Sequence, residues 1–153
     1  MPLFYYLVAG LKISSELEIP EWAVFEQQDH HTEWDVTILL GAPADIQPSG
    51  TNISVDGDDY YFVIPDTATY RVRQGREILI TPQPEVGLAE LRLFLLGSAW
   101  GGLCYQRGLL ALHMSVVQVG APAVVFCGPA GEGKSSMEAV LLINTRRLIP
   151  VLW

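Results

Sequence analysis

Residues 128–135 read Gly128-Pro129-Ala130-Gly131-Glu132-Gly133-Lys134-Ser135, which fits G-x-x-x-x-G-K-[ST] without a mismatch. The spacing has a chemical reason. The phosphates of a nucleotide need several donors converging on one point. Backbone N–H groups supply them when the chain wraps round the anion, and glycine accepts the required dihedrals without steric cost. Lys134 can reach the outer phosphates as a point charge, and the Ser135 hydroxyl can ligate Mg²⁺. Ser136 follows at the start of helix-compatible sequence, whose N-terminal dipole would favour the same anion. Gly128 to Ser136 are therefore the candidate nucleotide-binding residues, Ser135 the candidate metal ligand, and ATP with Mg²⁺ the implied cofactors.

Other groupings carry less chemistry. His30-His31-Thr32-Glu33 lacks helical ligand spacing and reads as a polar loop. Asp56, Asp58 and Asp59 lack the rest of a calcium loop and read as a hairpin turn. Cys104 and Cys127 have no CxxC spacing, and both sit in apolar runs, so buried free thiols are expected. A reducing, cytoplasmic setting suits them. Trp22, Trp34 and the tyrosines read as core rather than as a ligand platform, and Glu90 with Arg92 as a solvated helix edge.

The elements that would position the loop can be read from pattern. Val124-Val125-Phe126-Cys127 is a β-rich run leading into Gly128, and residues 135–142 have helical composition, the strand–loop–helix setting that the motif requires. A second extended run, 112–119, precedes it across Gly120-Ala121-Pro122. Upstream, residues 1–84 read mostly as strands. Extended runs are expected over 4–13 and 35–40, with hairpins over 52–64 and 69–81. In the second hairpin Tyr70 and Val72 lie on one face, Arg71 and Arg73 on the other. Pro82-Gln83-Pro84 marks the expected boundary between domains 1–84 and 85–153. A helix over 85–107 follows, apolar nearly all round and so expected to be buried, with Gly108 as its stop.

The formal net charge of −8 argues against non-specific contact with nucleic acid or an anionic membrane. The N-terminus lacks a basic n-region and a cleavage site, and the longest apolar run, 93–105, is too short to span a bilayer.

The run Leu112-His113-Met114-Ser115-Val116-Val117, a turn, and then Ala123 to Ser135 resembles the core of HPr kinase/phosphorylase. It resembles still more the HPr-kinase-like serine kinases encoded near lasso-peptide biosynthesis genes. The likeness extends over 91–99 and 106–110, and more loosely to Tyr6-Leu7-Val8-Ala9-Gly10-Leu11. It implies an α+β or α/β chain: a β-rich N-terminal part, then an incomplete P-loop core of the PEP-carboxykinase-like kind. It implies transfer of the ATP γ-phosphate to a serine or peptide hydroxyl, which depends on positioning and charge neutralisation. His113 would sit beside the phosphates and carry a catalytic role; read from the residues alone, it is a core histidine.

The departures bear on activity. The family carries a paired-aspartate motif downstream of its loop, one carboxylate serving as base and the other aiding the metal. Here no aspartate follows Asp66, and the only carboxylate after Lys134 is Glu138. The apolar stretch 141–153 reads as a premature or frameshifted end. A truncated kinase with weak or no activity is expected. The alternatives are a non-catalytic, pseudokinase-like interaction module and a P-loop NTPase of another family. An unpaired strand edge and an apolar tail would favour a homo-oligomer or a completing partner.

Overall fold

The computed structural model describes residues 3–28, 33–42, 53–111, 114–118 and 123–128. It divides into two compact units, Met1–Leu110 and Ala111–Trp153.

The first unit is a seven-stranded mixed sheet with a helix on one face. Its strands are β1 (Phe4–Val8), β2 (Leu11–Ser15), β3 (Val36–Leu40), β4 (Ile53–Asp56), β5 (Asp59–Ile64), β6 (Ala68–Arg73) and β7 (Glu77–Pro82), in the order β1-β2-β3-β7-β6-β5-β4. The pairs β1–β2, β4–β5, β5–β6 and β6–β7 are antiparallel, whereas β3 runs parallel to both β2 and β7. The extended run expected over 4–13 is thus a hairpin, turning at Ala9 and Gly10 with φ of 52° and 80°. Alanine in the left-handed region gives no turn signal in the sequence. The two hairpins expected downstream both form, and Gly57, at φ 58°, takes the first central position of the β4–β5 turn.

Alternation assigns the faces. Ile13 opposes Val36, Ile38 opposes Ile78, and Tyr70 opposes Ile80; all six are fully buried. The other face of β5–β7 carries charge. Arg73 lies between Asp59 and Glu77 in the ladder; it pairs with Asp59 at 2.9 Å, while Arg71 pairs with Glu77 at 3.0 Å. The Asp59 carboxylate raises the Arg73 pKa, chiefly through that hydrogen bond.

The helical segment begins as α1 (Leu88–Phe94), continues through a π turn (Leu95–Ala99) and ends as α2 (Trp100–Gln106). Leu91, Leu95, Ala99, Trp100 and Leu103 are buried, whereas Leu88 and Leu93 are 55% and 67% exposed. The segment is therefore not buried all round: a single sheet face covers one stripe of it, and the second apolar stripe faces outward. This packing also closes the first unit at Leu110, past the expected division after residue 84. Glu90 and Arg92 are not simply solvated. Glu90 accepts a hydrogen bond from Thr67 Oγ1 at 2.7 Å, and Arg92 pairs with Glu21 at 3.0 Å.

Gly108 stops the helix at φ 69°. Its N–H donates to the Tyr105 carbonyl at 3.0 Å and that of Leu109 to the Cys104 carbonyl at 2.8 Å, a Schellman closure. At the other end of the core, Trp22 is 2% exposed on a 3-10 turn (Pro20–Phe25). Its ring meets Tyr6 at 5.6 Å and Trp100 at 4.9 Å, both edge to face, the geometry that aromatic quadrupoles favour. Trp34 is partly exposed and stacks on Tyr5 at 4.8 Å.

Among the described residues of the second unit there are two strands, β8 (Met114–Gln118) and β9 (Ala123–Cys127), paired antiparallel with Met114 opposite Cys127. Both extended runs expected around Gly120-Ala121-Pro122 are present.

Candidate functional site

β9 ends at Cys127, and Gly128, the first glycine of the phosphate-loop sequence, follows it directly. Its β-branched valines favour the extended backbone that delivers the chain to that glycine. Of the expected nucleotide-site residues, Gly128 alone falls among the described residues. Pro129, Ala130, Gly131, Glu132, Gly133, Lys134, Ser135, Ser136 and His113 lie outside them, as do the helix expected over 135–142 and His30 with His31.

Val124 and Val125 of β9 are exposed, and so is Cys127. The expectation of two buried thiols therefore fails at Cys127. Among the described residues β8 pairs with β9 along one edge, and the side chains of such a ladder need a further layer to be enclosed. Cys104, partly buried on α2, has its pKa raised by burial, with Arg107 acting in the opposite direction. Among the described residues no three of His, Cys, Asp and Glu are grouped to hold a metal ion. Nor is any helix among them long and apolar enough to cross a membrane.

A second set of residues was not visible as a motif. Gln106, the last residue of α2, uses its whole side-chain amide. Its Nε2 donates to the carbonyls of Asp58 at 2.6 Å and Val72 at 3.1 Å, and its Oε1 accepts from the Gly75 N–H at 2.7 Å. One side chain thereby ties the β4–β5 and β6–β7 turns to the end of the helix. Arg107 reinforces this, donating to the Gly75 carbonyl at 2.6 Å. Glycine is required where these surfaces close: a Cβ at Gly75 would lie 2.6 Å from Arg107 Cγ, and one at Gly102 would lie 2.9 Å from the Phe62 ring. The turns and helix end enclose a groove of about 400 Å³ lined by Val55, Asp58, Tyr60, Gln74, Tyr105 and Gln106. The Tyr60 and Tyr105 rings stand 5.9 Å apart at 41°. The sequence signal for this site was slight: an aspartate-glycine turn, and a tyrosine on the last helical turn before Gly108.

No protein-family model matches this chain, and no curated protein or solved structure matches it either.

Proposed function

We propose that the chain binds a nucleoside triphosphate with Mg²⁺ through residues 128–135, as a cytoplasmic HPr-kinase-like protein whose ancestral reaction moves the ATP γ-phosphate to a serine or peptide hydroxyl. The observation that supports this reading most is the junction at Cys127: the described strand stops where the G-x-x-x-x-G-K-S sequence begins. A phosphate loop needs such a strand to fix its entry. Lys134 then neutralises the outer phosphates, the loop amides hold the inner ones, and Ser135 completes the coordination of the metal. His113 lies one residue before β8, the partner strand of β9, so the ladder brings its neighbour Met114 opposite Cys127.

A second reading is a nucleotide-binding module without catalysis: within residues 135–153 Glu138 is the one acidic side chain.

Equilibrium titration with Mg²⁺–ATP tests the binding. Lys134→Ala should weaken it by about 2 kcal/mol, roughly 30-fold, the scale of a charge-assisted contact, and Ser135→Ala should weaken it in the same direction. Unchanged affinity in both variants would remove the site. Label transfer from ATP to a peptide hydroxyl above background would reject the non-catalytic reading, and His113→Ala should then lower turnover more than thermal stability.

A further inference from the structure

We propose that the groove between the β4–β5 turn, the β6–β7 turn and the end of α2 binds the guanidinium side chain of a basic peptide segment. The proposal does not rest on the phosphate-loop reading, since every residue it uses belongs to the first unit.

Three observations carry it. The first is the wall. Tyr105 is 70% exposed, a large aromatic face held out on a capped helix end where burial would otherwise be favoured. With Tyr60 only 5.9 Å away and tilted, a planar group cannot slot between parallel rings and instead lies across the open face of Tyr105. The negative face of an aromatic ring attracts a cation, and guanidinium, planar and weakly hydrated, stacks on it better than ammonium does.

The second is the charge. Asp58 is exposed and lines the groove; its backbone carbonyl accepts from Gln106, and among the described residues its carboxylate takes part in no hydrogen bond or ion pair. Neighbouring Asp59 is by contrast consumed by Arg71 and Arg73. Of the 17 acidic residues, 15 precede Ala111, against six of the nine lysines and arginines. The first unit is thus acidic as a whole, a balance that favours a cation over a triphosphate, and the guanidinium groups of Arg73 and Arg107 near the groove are engaged by Asp59 and by the Gly75 carbonyl.

The third is rigidity. The three hydrogen bonds of Gln106 and the bond from Arg107 to Gly75 fix both turns against the helix, so little side-chain or backbone freedom remains to be lost on binding. A volume of about 400 Å³ has room for one long side chain and the backbone carrying it.

The test is a titration of the full chain with the capped tripeptide glycine-arginine-glycine and its citrulline counterpart, which keeps the shape and removes the charge, followed by amide proton–nitrogen NMR. The expected result is a saturable shift of the Gly57, Asp58, Gln74 and Tyr105 amides by the arginine peptide, with a Kd on the order of a millimolar. The citrulline peptide and Mg²⁺–ATP should leave those amides in place. Tyr105→Ala should weaken binding about threefold, the effect of losing an exposed cation–π contact. Asp58→Asn should weaken it by a similar factor of about three and flatten its salt dependence. Both substitutions fall at exposed positions, and an unchanged melting temperature would show that the fold is intact. Absence of saturable shifts, equal response to citrulline, or indifference to Tyr105→Ala would each overturn the proposal.

Discussion

Residues 1–110 and residues 111–153 carry different kinds of information. In the first unit, seven strands share ladders, a helix closes one face, and the interior holds fully buried residues from almost every element. Its sequence contains no recognisable catalytic motif. In the second, the described residues form one two-stranded ladder with Val124 and Val125 exposed, yet its sequence holds the phosphate-loop pattern. A phosphate cradle is specified by consecutive residues, because the donors are the backbone of the loop itself. A mixed sheet is specified by residues far apart in the chain. Substitutions in the sheet and in the loop sequence can therefore be read separately, the first by stability and the second by the proposed nucleotide binding.

The strongest challenge to that separation is Trp22→Ala. It removes a ring packed between Tyr6 and Trp100 and should cost about 4 kcal/mol of unfolding free energy, read by urea denaturation. A loss below about 1 kcal/mol would mean that this aromatic cluster does not anchor the first unit. Next in size is Gln106→Ala, which leaves the buried Gly75 N–H without its acceptor; about 1.5 kcal/mol should be lost, with faster hydrogen exchange at the Gly75 amide. If exchange at Gly75 is unchanged, the helix end does not hold the β6–β7 turn.

The smallest effect is alkaline. Burial raises the Tyr6 and Tyr70 phenols above their ordinary value, so the fold binds their protons more tightly than the unfolded chain does. Their contribution is fully present below about pH 10 and is lost as the pH climbs past it. Burial of Cys104 works in the same direction from a lower starting value. Thermal melting followed between about pH 7 and pH 11 should show a falling midpoint. Tyr70→Phe should flatten the fall while giving up the hydrogen bond to the Leu91 carbonyl at 2.9 Å.

Much of the local structure was legible and little of the assembly. The β4–β5 and β6–β7 hairpins announce themselves by alternation and by Gly57 and Gly75. The β1–β2 turn does not, because an alanine occupies the left-handed position. The helix was legible in extent but not in exposure: Leu88 and Leu93 look like core residues, and nothing in a sequence says how many faces a partner layer will cover. For the same reason Cys127, set in an apolar run, is exposed. The G-x-x-x-x-G-K-S pattern is complete in consecutive residues, and of it Gly128 alone falls among the described residues. The tyrosine groove could not be read from the sequence, because Tyr60, Gln74 and Tyr105 come from three elements that only folding brings together.

The position of β3 has a further consequence for the order of events during folding. β3 is flanked on both sides by parallel neighbours, and one of them, β7, emerges only after three intervening strands. The β4–β7 meander needs only short loops and can close early, whereas β3 must wait for a distant segment to satisfy its second edge. On a growing polypeptide the hydrophobic residues Val36, Ile38 and Leu40 would stand with half their ladder missing until β7 arrives. That interval is when the chain is most open to pairing with the wrong strand.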